Sequence, residues 1–265
     1  MIKETQLFLP FLENLSKQIL EIYNSDFSHE IKNDNSPLTQ ADLLVHRELT
    51  QFIKKIFPDD SIISEEDEII LPSYSSRVWV IDPIDGTKDF VKKTGEFSIM
   101  IGLLQENKPL FGLVYIPVTG ICYSAKIGEG SYVTKNSKTT VLEVDSSDSE
   151  ITLVTSRNNF KEQDQKIVDV LNITKFKTMG SIGVKFSSIA NGNANLCFYS
   201  TSGLGIWDAL PVHVILEEAG GHIFDRNGNS LVYNLQNRTM LKGVIGCSNV
   251  EIKKKFLDSY QKIIE

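Results

Sequence analysis

Trp79-Val80-Ile81-Asp82-Pro83-Ile84-Asp85-Gly86-Thr87 is the stretch from which this 265-residue chain is best read. An apolar strand drives two carboxylates, a glycine and a hydroxyl onto one sharp turn. The Pro83-Ile84 spacer lets Asp82 and Asp85 point toward a common centre, where each needs a strong cationic partner. Gly86 lets the backbone approach a ligand closely, and Thr87 offers a hydroxyl and a backbone N–H at a helix start. Hard divalent ions take oxygen ligands, and Mg2+ prefers one or two carboxylates with waters and phosphate oxygens. The turn suits such an ion.

Upstream of it the chain reads as helical. Phe8, Phe11, Leu12, Leu15, Ile19, Leu20 and Tyr23 recur at spacings of three and four, with Pro10 expected in the first turn or at a kink. A second helix is announced by Ser36-Pro37-Leu38-Thr39-Gln40-Ala41-Asp42, with Thr39 as its N-cap. Leu43, Leu44, Leu49, Phe52, Ile53 and Ile56 are its expected buried stripe.

Downstream, Phe97–Leu104, Pro109–Ile116 and Ile121–Ala125 are short apolar runs that predict an antiparallel meander. The polar stretch from Lys135 to Glu150 is the candidate domain boundary, dividing an α+β part (1–145) from an α/β part (150–265). In the second part, strands are expected at Ile151–Thr155, Lys175–Met179, Asn195–Tyr199, His222–Phe224 and Val244–Cys247. Helices are expected at Glu162–Leu171, Val184–Ala190, Trp207–Ala219 and Val250–Ile264.

The hydrophobic share of 41% and the charged share of 23% describe an ordinary globular protein, long enough to bury a sizeable core. Cys122, Cys197 and Cys247 are odd in number and lack metal-ligand spacing, which predicts a reducing compartment and no disulfide partner. The chain opens with no basic segment backed by an apolar run, so a cytoplasmic location is expected. With a net charge of −7 and no basic tract, no nucleic-acid polymer is expected as a partner. An anionic small molecule can bind if metal ions reverse the local field.

Four acidic places stand out, each with a plain structural explanation. Taken alone, Ser64-Glu65-Glu66-Asp67 reads first as a solvated loop, Asp208 behind Trp207 as readily as a helix cap, and Asp42 first as the far end of a Thr39-x-x-Asp42 capping box. The Asp82/Asp85 turn is hardest to dismiss.

Taken in order, Asp42, Glu65, Asp82-x-x-Asp85-Gly86-Thr87, Trp207-Asp208 and Ala219-Gly220-Gly221 resemble the inositol monophosphatase superfamily of Mg2+-dependent, lithium-sensitive phosphatases. The resemblance runs from about Lys32 to Gly221. Within the superfamily the chain is most similar to the bacterial 3′(2′),5′-bisphosphate nucleotidases of the CysQ type. That similarity rests on Lys32-Asn33-Asp34-Asn35-Ser36-Pro37-Leu38-Thr39, on Ser64–Asp67, and on Gly86-Thr87-Lys88-Asp89-Phe90 leading to Gly95-Glu96-Phe97.

The resemblance implies a layered αβαβα sandwich and a concrete site. Glu65, Asp82, Asp85, Asp208 and the main-chain carbonyl of Ile84 are expected to hold two or three Mg2+ ions, with Asp82 bridging. Phosphate is expected against the N–H groups of Gly86 and Thr87. A metal-activated water would attack, Thr87 paired with Asp42 would deprotonate it, and Glu65 would share the catalytic role. No phosphoenzyme is expected. Ser181, Gly183 and Lys185, with Asp208, are the implied substrate contacts. Gly180-Ser181-Ile182-Gly183-Val184-Lys185-Phe186 is about one residue longer than its nucleotidase counterpart. Thr201–Ile206 lacks the usual Gly-Pro-Thr, and Leu210 replaces a small residue. These departures bear on specificity more than on catalysis.

The implied reaction is removal of the 3′-phosphate of 3′-phosphoadenosine 5′-phosphate to give AMP, by a monomer or homodimer. Inositol 1-phosphate and fructose 1,6-bisphosphate are the alternative substrates, since related scaffolds hydrolyse both. A haloacid-dehalogenase-type phosphatase would place its second Asp two positions after the first, and here the separation is three. A catalytically silent metal- or phosphate-binding regulator is the remaining rival, and the full set of ligand candidates speaks against it. His213 reads as a partly buried helix residue, and Glu217 and Glu218 as an exposed helix end.

Overall fold

The computed structural model describes residues 1–32, 37–67, 70–147, 150–158, 160–200 and 203–264. The first half runs α1 (Lys3–Asn24), β1 (His29–Ile31), β2 (Pro37–Thr39), α2 (Gln40–Ile56), β3 (Ser61–Ser64), β4 (Arg77–Asp85) and α3 (Thr87–Val91). It continues through β5 (Ser98–Gln105), β6 (Lys108–Ile116), β7 (Ile121–Lys126), β8 (Gly130–Lys135) and β9 (Lys138–Val141). The second half runs β10 (Thr152–Ser156), α4 (Glu162–Val170), β11 (Lys175–Met179), α5 (Ile182–Ala190), β12 (Leu196–Tyr199), β13 (Leu204–Gly205) and α6 (Ile206–Glu218). It closes with β14 (His222–Phe224), β15 (Thr239–Met240), β16 (Val244–Cys247) and α7 (Val250–Ile264).

Strands β3 to β9 form a seven-stranded sheet in sequence order, antiparallel except where β3 lies parallel to β4. Residues that alternate along a strand point to opposite faces, and the sequence uses both. Trp79 and Ile81 of β4 and Ile99, Ile101 and Leu103 of β5 pack with Phe8, Leu12, Val45 and Leu49 of α1 and α2. Val78, Val80, Met100 and Leu104 face the other way, onto Phe186 and Ile189 of α5 and Leu210, Val214 and Ile215 of α6.

Helix α6 is apolar on nearly every side because it is buried between two sheets. Its close approach needs glycine beneath it. A Cβ on Gly112 would come within 2.2 Å of the Pro211 carbonyl oxygen, and one on Gly102 within 2.6 Å of the Leu210 side chain. Beyond α5 and α6 lies a five-stranded sheet of order β11-β10-β12-β16-β14. Leu153, Phe198, Phe224 and Ile245 on its outer face pack against Ile167 and Val168 of α4 and Ile252, Phe256 and Tyr260 of α7. The layers are therefore αβαβα, the sandwich implied by the resemblance. The three cysteines are buried, one in each of the three cores.

Some expectations shift in detail. Helix α1 begins at Lys3, so Pro10 falls inside it and beyond the first turn. Leu43 is 51% exposed, and the buried stripe of α2 is Ala41, Val45, Leu49 and Ile53. Leu49 and Ile53 belong to the expected stripe, and Leu44 and Phe52 pack half-buried against the same core. Lys138–Val141 of the polar stretch is the exposed edge strand β9, where polar side chains are the norm. Strands β1, β2, β13 and β15 are three residues or fewer, too short to leave a periodic signature. No helix among the described residues is long and apolar enough to cross a membrane.

Candidate active site

In a regular strand, residues three apart face opposite sides. The pairing of β4 with β5 shifts register between Asp82 and Asp85, over Pro83, whose nitrogen has no hydrogen to donate. That irregularity turns both carboxylates to one side. Asp208, near the start of α6, meets them there: one ligand atom from each of Asp82, Asp85 and Asp208 lies within 4.8 Å of the others. Asp208 is also a cap, its Oδ2 accepting the Gly205 N–H at 2.7 Å. Capping and ligand roles thus coexist in one side chain.

Asp82 Oδ1 is buried and accepts no hydrogen bond among the described residues. Burial pushes the Asp82 carboxyl well above the usual range, and the neighbouring charges of Glu65, Asp85 and Asp208 add to it. Asp208 is raised for the same reasons, burial first and then Asp85 and Glu65. An orphaned buried carboxylate oxygen facing two more acids is the donor set a hard divalent cation fits, and such a cation would remove the repulsion.

Glu65 stands at the end of the parallel strand β3, where its N–H bonds the Ile81 carbonyl at 3.0 Å. Burial raises its carboxyl despite Lys32, whose Nζ is 3.0 Å from Glu65 and 2.6 Å from Glu66. The acidic run is therefore an anchored turn, with Asp67 Oδ2 accepting the Ser64 N–H at 2.7 Å. Lys32 belongs to the quoted Lys32–Thr39 motif, but its partners could not be read from spacing. Asn33–Ser36 of that motif, and Thr201 and Ser202 farther on, lie outside the described residues.

Asp85 lives in different surroundings. Its Oδ1 accepts the Ile182 N–H at 2.9 Å, and its Oδ2 accepts the Gly183 N–H at 2.7 Å and the Ser98 hydroxyl at 3.1 Å. The Ser181 hydroxyl also bonds Oδ2. The start of α5 thus grips this carboxylate. Ser181 lines the pocket while bonding Asp85, and the Gly183 amide is directed to Asp85. Ser98 had no signal in the sequence.

Thr87 Oγ1 lies 3.0 Å from the Ile84 carbonyl oxygen and 3.4 Å from Asp42 Oδ1. Asp42 completes the expected capping box: its Oδ2 accepts the Thr39 N–H at 2.8 Å and the Thr39 hydroxyl at 2.5 Å. Burial pushes the Asp42 carboxyl up to about 7. Gly86 has φ of +91°, and a Cβ there would press on the Glu96 carbonyl oxygen at 3.0 Å, so glycine is required. The N–H groups of Gly86 and Thr87 lie at the start of α3, outside its helical ladder.

Glu65, Asp82, Ile84, Asp85, Gly86, Thr87, Ser181 and Asp208 line one cavity of about 270 Å³, together with Trp207, Tyr199 and Lys185. Lys185 is buried, and its Nζ donates to the carbonyls of Ser181 at 2.7 Å, Gly180 at 2.9 Å and Met179 at 3.4 Å. Behind the cavity, Arg157 bridges Asp89 at 2.5 Å and Glu96 at 2.7 Å, and Glu96 accepts the Gly180 N–H at 2.7 Å. His213 is buried against the Tyr233 hydroxyl at 2.7 Å and Glu217 at 3.1 Å. Glu218, expected to be exposed, accepts the N–H groups of Gly128 and Gly130 at 3.0 and 2.9 Å.

Acidic side chains at strand and helix ends of an αβαβα sandwich thus converge on a small polar cavity, an arrangement that suits metal-dependent phosphate chemistry. The chain belongs to the inositol monophosphatase family, whose profile matches residues 8–265. It is 32% identical to the 3′(2′),5′-bisphosphate nucleotidase CysQ of Escherichia coli K12 over 229 residues, 83% of this chain and 89% of that one. Thermotoga maritima IMPase superposes with a TM-score of 0.84 at 21% identity, covering 99% of this chain and 98% of that one. An IMPase/NADP phosphatase complexed with Mg2+ and phosphate gives a TM-score of 0.79 at 19% identity, covering 99% and 95%.

Proposed function

We propose that this phosphatase removes the 3′-phosphate of 3′-phosphoadenosine 5′-phosphate, yielding AMP and inorganic phosphate. The substrate reading is carried by one observation, the 32% identity to the CysQ nucleotidase of E. coli over most of both chains. The reaction class is supported by the converging carboxylates of Asp82, Asp85 and Asp208 and the orphaned Asp82 oxygen.

Glu65, Asp82, Asp85, Asp208 and the Ile84 carbonyl would hold two or three Mg2+ ions, consistent with the Mg2+ complex of the structural neighbour. When bound, Mg2+ supplies positive charge against the phosphate and lowers the pKa of a coordinated water. The chain's own residues do the rest. The N–H groups of Gly86 and Thr87 bind the phosphate oxygens and fix the phosphorus against the attacking water. Thr87 Oγ1 takes a proton from that water as it passes its own to Asp42 Oδ1. Asp42 Oδ1, 3.4 Å from Thr87 Oγ1, is the acceptor in reach. The new P–O bond forms as the bond to the 3′ oxygen breaks, and that oxygen leaves with a proton from solvent.

Phosphate release should be measured with Mg2+, with and without Li+, on 3′-phosphoadenosine 5′-phosphate, inositol 1-phosphate and fructose 1,6-bisphosphate. A lithium-inhibited preference for the nucleotide is expected. Preference for either of the others keeps the metal chemistry and overturns the substrate.

A further inference from the structure

Lys88 is exposed, follows Thr87 directly and lines the cavity. Its ammonium makes no ion pair or side-chain hydrogen bond among the described residues. The other cations around it are committed. Lys32 is held by Glu65 and Glu66 at 3.0 and 2.6 Å. Arg157 is held by Asp89 and Glu96, and Lys92 Nζ donates to Asn158 Oδ1 at 2.6 Å. Lys185 is buried on three carbonyl oxygens.

Nor does the adjacent Asp89 neutralise Lys88. One Asp89 oxygen takes Arg157 at 2.5 Å and the Thr94 hydroxyl at 3.0 Å, and the other takes Asn158 Nδ2 at 2.9 Å. The rim of an otherwise acidic cavity therefore carries a cation with its charge uncommitted, one residue from where the reacting phosphate is placed. The cavity, about 270 Å³, is larger than one phosphate requires.

We infer that Lys88 is a second anion subsite: it binds the phosphate of a bisphosphorylated substrate that is not cleaved, and so selects bisphosphates over monophosphates. The inference rests on the bisphosphate reading above. A lysine suits this role because a flexible point charge follows a phosphate on a rotatable ester arm, and a charge-assisted hydrogen bond strengthens as the pair leaves water.

The test compares kcat/KM for 3′-phosphoadenosine 5′-phosphate with that for 3′-AMP, which lacks only the 5′-phosphate, using the Mg2+-loaded enzyme. In the wild type the bisphosphate is preferred. In K88M the ratio of the two values falls about fivefold or more, chiefly through KM for the bisphosphate, and K88R keeps most of the ratio. An unchanged ratio in K88M, including an equal loss on both substrates, overturns the subsite while leaving the nucleotidase reading standing. A wild-type ratio near one overturns the bisphosphate reading itself, and the subsite with it.

Discussion

Asp82 and Asp85 leave the same strand three residues apart and enter opposite surroundings. At the end of the seven-stranded sheet, Asp82 meets Glu65 and Asp208, and one of its oxygens is buried with no hydrogen-bond donor among the described residues. At the start of α5, Asp85 meets two backbone N–H groups and two hydroxyls. The first region is acid-rich and unneutralised by its own side chains; the second is an amide-rich clamp that holds its carboxylate without any cation. In the proposed metal site, Asp82 would supply the demand for a cation and Asp85 the position.

The sharpest way to break this comparison is to remove the charges one at a time. If the proposed metal site is right, Asp82→Asn, Asp85→Asn and Asp208→Asn should each reduce turnover by about a thousandfold or more, because each removes one of its ligands. Their stabilities should diverge. Without metal, Asp82→Asn and Asp208→Asn relieve repulsion and should raise Tm by roughly 2–4 °C, about 1 kcal/mol at this chain length. Asp85→Asn turns an NH2 group toward donors and should lower Tm, at a cost of about 1–3 kcal/mol. Thermal unfolding in EDTA decides the matter, and a common direction for all three variants would erase the distinction.

A pH series probes the acid-rich region as a whole. Folding raises the carboxyls of Asp42, Glu65, Asp82 and Asp208, Asp42 to about 7. The folded state then binds more protons than the unfolded state, so their contribution is full below about pH 4 and is lost as pH rises through their folded values. Metal-free Tm should fall between pH 5 and pH 8. Saturating Mg2+ should flatten that decline, since the cation replaces the protons. A metal-free Tm that climbs over this range would contradict the picture.

Ser181→Ala sharpens the other side with the smallest effect. It removes one donor from Asp85 and the cap that accepts the Val184 N–H at 3.0 Å. A loss of about 1 kcal/mol is expected, with a severalfold weaker Mg2+ affinity in a calorimetric titration. Unaltered Mg2+ binding would mean that the clamp does not position Asp85.

Much of this was legible because it is local. The Trp79–Thr87 turn declares itself through an apolar run followed by Asp, Pro, Asp and Gly, and Thr39 with Asp42 declares a helix start through spacing alone. Strands such as Lys175–Met179, His222–Phe224 and Val244–Cys247 sit between clear turn signals and matched in extent. Leu43, expected in the buried stripe, is exposed, because helical spacing shows which residues share a face but not which face a tertiary neighbour covers.

The rest depends on distance along the chain. By itself the sequence determined an α+β half followed by an α/β half, through its strand and helix patterns, and the acids available to one strand-end turn; the layer order came with the family resemblance. Only the tertiary structure decided that residues 181–183, close to a hundred positions after Asp85, clamp its carboxylate, and that Lys32 reaches Glu65. It also decided that Lys88 alone among the cations around it stays unpaired among the described residues. The physical reason is that hydrogen bonds and ion pairs act over a few ångströms, and the pairings they choose appear only once packing has brought distant segments together.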